Sequence, residues 1–123
     1  MPGASYRDLL VWQKAIQLVL ECYAITESLP ATERYGLSAQ IRRAAVSIAS
    51  NIAEGHRRGS PGMFIQFLSI ARGSVAEVET QLEIVTRLGL AVPELLERPL
   101  KLCDEISRMA SALQRANRQR RGI

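Results

Sequence analysis

An unbroken run of apolar residues at alternating spacings of four and three dominates the middle of the chain. Its members are Phe64, Leu68, Ala71, Val75, Val78, Leu82 and Val85. This spacing returns the side chains to one face of a helix, as in helices that pack lengthwise against one another. Ser60 is a good N-cap, Pro61 suits the first helical position, and Gly89 suits the residue just past the end. Residues 61–88 are therefore predicted to form a long helix that packs against other helices.

Three further amphipathic segments, residues 8–28, 35–56 and 93–117, show helical spacing of their apolar positions. The connections between the four segments are short. Pro99 is the one irregularity, because an interior proline costs ~3 kcal/mol or more outside the first turn. It predicts either a kink or a helix start near Arg98. Together the segments predict an all-α fold, an antiparallel up-down-up-down four-helix bundle that forms a single domain of residues 1–123.

The composition agrees with a helical protein that folds without cross-links. Hydrophobic residues make up 47% of the 123 residues and aromatic residues only 5%. No apolar run reaches the ~18–20 residues that span a bilayer, and the N-terminus lacks the layout of a secretory signal, which predicts a cytoplasmic protein without membrane contact. Cys22 and Cys103 are predicted to be reduced core thiols, with a disulfide or a reactive thiol as the alternatives.

The chain lacks the residue sets that most enzymes use. Its single histidine, His56, excludes a Ser/His/Asp or Cys/His set and a carboxylate di-iron site. Glu77, Glu79 and Glu83 are more typical of a solvated helix face than of a metal site. No phosphate-binding glycine loop is present. The sequence therefore predicts no catalytic residue, metal, cofactor or small-molecule substrate.

The first and third helical segments each carry two neighbouring apolar stripes. A helix of an isolated bundle needs only about one apolar face. The second stripe therefore predicts that some apolar surface meets another subunit. Broad apolar stripes in a compact monomer are the alternative.

The formal net charge of +4 is concentrated in a few places. From Arg108 to the end there are five arginines and no acid, most of them in a basic C-terminal end, residues 114–123. Arg57 and Arg58 precede a helix N-terminus, an arrangement that can hold phosphate; a polar turn is the alternative. Basic clusters attract phosphate backbones, although a solvated, frayed helix end would look the same. The candidate nucleic-acid-binding residues are Arg57, Arg58, Arg115, Arg118, Arg120 and Arg121, with Arg42, Arg43 and Lys14 as secondary candidates.

Arg42 and Arg43 are neighbours on the second helix. Successive residues of a helix point about 100° apart, so the two side chains cannot both hold one target face. One of them is expected to pair with Glu33 or Glu54, which leaves the other free.

Three ordered motifs resemble those of a known family. They are YRDLLVWQKA at residues 6–15, ERYGLSAQIRRAAVSIASNIAEG at residues 33–55, and FIQFL, RGS and EVETQL within residues 64–82. They resemble the four-helix-bundle proteins encoded by intervening sequences within bacterial 23S ribosomal RNA genes. Ala49 departs from the pattern, because the family usually has proline there, and the resemblance is weak over the fourth helix.

The resemblance implies a bundle that assembles into a ring-like homopentamer. The chain is also similar to accessory proteins of diversity-generating retroelements, which form basic pentamers that contact nucleic acid and a reverse transcriptase. Together with the basic clusters, this predicts a non-enzymatic oligomeric scaffold that binds RNA or DNA through arginine-rich surfaces. The alternative is a protein–protein interaction module in which the basic end serves only solubility.

Overall fold

The computed structural model describes residues 5–120, which form four α-helices and no strand. The helices are α1 (Leu10–Glu27), α2 (Leu37–Arg57), α3 (Pro61–Arg87) and α4 (Pro93–Arg120). Short 3₁₀ turns, Tyr6–Asp8 and Ala31–Glu33, precede α1 and α2. The all-α prediction is confirmed: α1 and α3 lie within their predicted segments, whereas α2 ends one residue and α4 three residues beyond theirs.

The ends of α3 follow from the residues predicted to cap it. The Ser60 hydroxyl accepts a hydrogen bond from the Met63 amide at 3.2 Å, and Pro61 is the first helical residue. At the other end Gly89 has φ of 68°, a left-handed conformation that glycine adopts without strain. This turn lets the Leu90 amide donate to the Val85 carbonyl at 3.0 Å, which closes the helix.

Helix α4 begins at Pro93 and continues through Pro99 to Arg120, so the alternative start near Arg98 was wrong. Pro93 at the first position costs no helical hydrogen bond. The ring of Pro99 is buried, and tertiary packing of this kind commonly overrides an unfavourable helix propensity.

Contacts between the helices show that neighbouring helices run antiparallel, as the predicted up-down-up-down bundle requires. Helix α2 packs on α1 and α3, and α4 packs on α3 and α1, which closes a ring of four. In each pair of contacting helices, the residue numbers at successive contacts rise along one helix and fall along the other. The residue pairs are Tyr6–Arg57 (Tyr6 lies in the turn before α1) and Thr26–Arg42 for α1 and α2, Ser47–Ser74 and Gly55–Phe67 for α2 and α3, and Lys14–Glu105 and Glu21–Arg98 for α1 and α4.

The core is built from one stripe of each helix. All seven members of the α3 run predicted from the spacing are buried. On α1, the buried stripe is Val11, Ala15, Leu18, Cys22 and Ile25, and Leu29 continues it just past the helix end. The neighbouring α1 stripe is only partly covered, and Trp12, Ile16 and Val19 lie against the edge of the core.

Small residues bring α2 and α3 close together. The hydroxyl groups of Ser47 and Ser74 lie 2.9 Å apart across the two helices. Gly55 is buried, and a Cβ atom built on it would lie 2.5 Å from the Phe67 Cβ. The alanine- and serine-rich sequence of α2 is therefore explained by its close packing on α3.

Both cysteines are free and fully buried in the core, as predicted. Burial raises the pKa of the Cys22 thiol to about 12, and the nearby Glu21 carboxylate adds to the effect. Burial likewise raises the pKa of Cys103 to about 12, with smaller contributions from Glu79 and Cys22. Since the thiolate is the reactive form, both thiols are expected to be unreactive in the folded protein.

These raised pKa values predict a loss of stability in alkali. Above pH ~9 the thiols ionise in the unfolded chain but stay protonated in the folded one, so stability falls as pH rises from about 9 towards 12. Each thiol contributes a slope of up to about 1.4 kcal/mol per pH unit. Urea unfolding at pH 8 and pH 10 measures this slope, and the double variant Cys22→Ala, Cys103→Ala should flatten it. Equal slopes in the two proteins would contradict the assignment.

Candidate functional site

The antiparallel topology brings four separate chain segments to one end of the bundle. These are the turn before α1, the end of α2, the start of α3 and the end of α4. The Arg57 guanidinium lies 5.8 Å from the centroid of the Tyr6 ring, which joins the first two segments. The Gln114 amide donates to the Ile65 carbonyl at 3.1 Å, which joins α4 to α3. We call this region, residues 5–9, 54–63 and 111–120, the basic end.

Charge is strongly polarised along the bundle. The basic end carries six arginines and two carboxylates, a formal charge of +4; they are Arg7, Arg57, Arg58, Arg115, Arg118 and Arg120 with Asp8 and Glu54. All six arginines are exposed. The opposite end, residues 21–38 and 83–98, carries six glutamates and three arginines, a formal charge of −3. The structure thus gathers basic residues that are far apart in the sequence.

Arg57 and Arg58 are both held by neighbouring side chains. The Arg58 Nη2 atom lies 2.7 Å from the Glu54 carboxylate, and its guanidinium lies 5.2 Å from the centroid of the Phe67 ring. Arg57 lies over the Tyr6 ring and has no carboxylate partner within residues 5–120. Arg57 therefore keeps its full charge for a ligand, whereas the charge of Arg58 is partly neutralised.

The arginines near the end of α4 are also exposed, and none forms an ion pair in the part of the chain that the structure describes. Arg115 donates to the Ser111 hydroxyl at 3.1 Å, and Arg120 makes a long 3.5 Å contact with the Asn117 side-chain oxygen. Arg118 has no side-chain partner in the same range. Arg121, the remaining candidate of this group, lies outside the described residues.

The segment 114–120 is a packed part of α4. It is therefore not the solvated, frayed helix end that could also have explained its basic charge. Gln114 is buried, donates to the Ser69 hydroxyl at 2.8 Å and accepts from Arg72 at 3.0 Å. Asn117 is also buried and bonds to the Leu113 carbonyl. Gln114 and Arg72 were missed by the sequence analysis. The sequence did contain a signal for the role of Gln114, because the spacing of core-facing positions on α4 continues beyond Ala110 onto polar residues.

Two of the three secondary candidates for nucleic-acid binding, Lys14 and Arg42, contact residues that lie away from the basic end. Lys14 lies 3.3 Å from the Glu105 carboxylate on α4. The Arg42 Nε atom donates to the Thr26 hydroxyl at 2.7 Å, and its guanidinium lies 4.4 Å from the centroid of the Tyr23 ring.

The expected pairing of the Arg42–Arg43 pair with Glu33 or Glu54 was wrong. The Glu33 carboxylate accepts from the Leu37 amide at 3.3 Å, and Glu54 is taken by Arg58. Arg43 is exposed and lines a groove beside Glu77 on α3. The helix register sets this outcome, because Thr26 is the residue that lies opposite Arg42.

Residues 5–120 contain neither a candidate membrane span nor a candidate metal site. None of the four helices is both long and apolar enough to cross a membrane. No three His, Cys, Asp or Glu side chains converge in a way that could hold a metal ion.

Comparisons with known proteins agree on the kind of protein this chain resembles. A family model described as 23S rRNA-intervening sequence protein matches residues 7–112. A crystal structure from Bacteroides thetaiotaomicron, of a protein with unknown function from the S23 ribosomal protein family, is similar with a TM-score of 0.79 and 25% sequence identity. The match covers 86% of this chain and 96% of that one. No curated protein matches the chain.

Proposed function

The chain belongs to the 23S rRNA-intervening sequence protein family, and from that premise we propose that it is a non-enzymatic, cytoplasmic scaffold that binds RNA or DNA through its basic end. The observation that carries this proposal is the gathering of six exposed arginines against two carboxylates at one end of the bundle. Guanidinium groups bind phosphate oxygens with paired hydrogen bonds. Release of counterions from the nucleic acid adds to the affinity.

The partly covered apolar stripe on α1 supports a second element of the proposal, a homo-oligomer. Trp12, Ile16 and Val19 lie half-buried beside the more exposed Tyr23. Assembly of copies around a symmetry axis would cover such a stripe and bring several basic ends into one field. The proposed assembly is a homopentamer, and a native mass of five times 13.6 kDa is the corresponding observation. A monomer at micromolar concentration would contradict it.

Binding across a salt series tests the main proposal. We expect single-stranded RNA to bind at 50 mM salt and to weaken steeply by 200 mM, with a log–log slope of about −0.7 for each phosphate contact. Fluorescence anisotropy of a labelled oligonucleotide measures this slope, and a duplex of the same length shows which form is preferred. A slope near zero, or no binding at low salt, would exclude the basic end as a nucleic-acid interface.

The alternative function, a protein-interaction module, is favoured by exposed apolar side chains at the opposite end. Tyr35 is 89% exposed, and Leu88, Val92 and Leu95 are each about half exposed or more. This alternative predicts unchanged function after removal of residues 118–123. Truncation should begin there rather than at Gln114, because Gln114 and Asn117 are part of the packed helix.

A further inference from the structure

A polar cavity lies at the end of the bundle opposite the basic end. It has a volume of about 290 Å³ and lies between the end of α1, the turn after it and the start of α2. Its polar lining residues are Thr26, Glu27, Arg34, Ser38 and Arg42. Two arginines and one glutamate thus line the cavity, although the surrounding end of the bundle is acidic.

The Arg42 guanidinium is fixed in this cavity without any ligand. Its Nε atom donates to the Thr26 hydroxyl, and that hydroxyl in turn donates to the Cys22 carbonyl at 2.8 Å. The Tyr23 ring covers one face of the guanidinium at 4.4 Å. The two Nη groups have no hydrogen-bond partner within residues 5–120, so the edge that recognises oxyanions is oriented and unused.

Ser38 adds a hydroxyl group to the lining of the cavity. The residue is only 6% exposed, lines the cavity and has a hydroxyl without a partner in the described part of the chain. The hydroxyl oxygen is not sealed from solvent, so it is available to a molecule in the cavity. Ser38 also lies in the first turn of α2, where the Glu33 carboxylate accepts from the Leu37 amide at 3.3 Å and offsets part of the positive end of the helix dipole.

We propose that this cavity binds a small tetrahedral oxyanion of the phosphate class. The Arg42 Nη groups, the Arg34 guanidinium and the Ser38 hydroxyl are its ligands. Donors that come from the turn and from two positions of α2 suit a tetrahedral anion, which accepts from several directions, better than a planar carboxylate. The Glu27 carboxylate opposes the ligand and limits its affinity.

Titration with inorganic phosphate at constant ionic strength tests the site, with amide chemical shifts or calorimetry as the readout. The wild-type protein should show saturable binding that sodium acetate does not reproduce. Arg34→Gln should weaken binding about tenfold or more, because it removes a charge-assisted hydrogen bond. Ser38→Ala should also weaken it, whereas Glu27→Gln should strengthen it. Arg43→Gln, on the neighbouring face of α2, is the matched control and should change nothing.

None of these substitutions removes a hydrogen bond or ion pair that the structure shows, so the variants are expected to fold. Absence of saturable phosphate binding by the wild-type protein would overturn the proposal. Unchanged affinity in both Ser38→Ala and Arg34→Gln, or equal binding of acetate, would also overturn it.

The triple variant Arg115→Gln, Arg118→Gln, Arg120→Gln separates this site from the basic end, because it should lose RNA binding and keep phosphate binding.

Discussion

Replacing Gly55 with alanine is expected to lower the free energy of unfolding by roughly 1–3 kcal/mol, although alanine is the better helix former. The new Cβ would lie 2.5 Å from the Phe67 Cβ and 3.3 Å from a Phe64 ring carbon. A Cβ atom cannot swing aside as the end of a long side chain can. Helices α2 and α3 would therefore have to separate at this contact.

Gly73→Ala is the matched control for this prediction. Gly73 lies within α3 and is exposed, and a Cβ built there would meet no side chain or neighbouring helix within 4 Å among residues 5–120. The same substitution should there stabilise the protein by up to about 1 kcal/mol, because only the helix propensity changes. Urea unfolding of both variants measures the difference. Stabilisation by Gly55→Ala as well would show that the two helices are not in close contact at Gly55.

The triple variant Arg115→Gln, Arg118→Gln, Arg120→Gln is expected to lower the affinity for single-stranded RNA by about 10²-fold at 50 mM salt. Its log–log salt slope should become shallower by about 2, because each lost phosphate contact removes about 0.7. The three side chains are exposed and unpaired with carboxylates within residues 5–120, so their replacement leaves the bundle intact. Anisotropy titrations at several salt concentrations give both quantities.

The control for the triple variant removes the same charge from the other half of the bundle. Arg87→Gln, Arg98→Gln, Lys101→Gln deletes three exposed cations, of which two form exposed ion pairs of small energetic value. Its RNA affinity should stay within a few-fold of wild type, because charges beyond the Debye length of about 10 Å are screened. Equal losses in the two triple variants would show that net charge, rather than the basic end, determines binding.

The sequence was sufficient to predict features that depend on a single helix. The capped start at Ser60, the left-handed Gly89 and the buried run on α3 all follow from local spacing and backbone preference. The partner of Arg42 did not follow, because Thr26 lies opposite it only once the register of α1 and α2 is set. For the same reason the role of Gln114 was missed, since its partners lie on α3.

The separation of charge between the two ends affects how the protein is oriented when it encounters a charged ligand. Helix α3 alone, with 27 residues at 1.5 Å each, is about 40 Å long, so charges of +4 and −3 are held far apart. The protein therefore carries a large permanent dipole moment along the bundle axis. In the field of a polyanion such a molecule rotates during approach, and its basic end arrives first. Orientation of this kind raises the fraction of productive collisions, so the association rate should depend on salt more strongly than the dissociation rate.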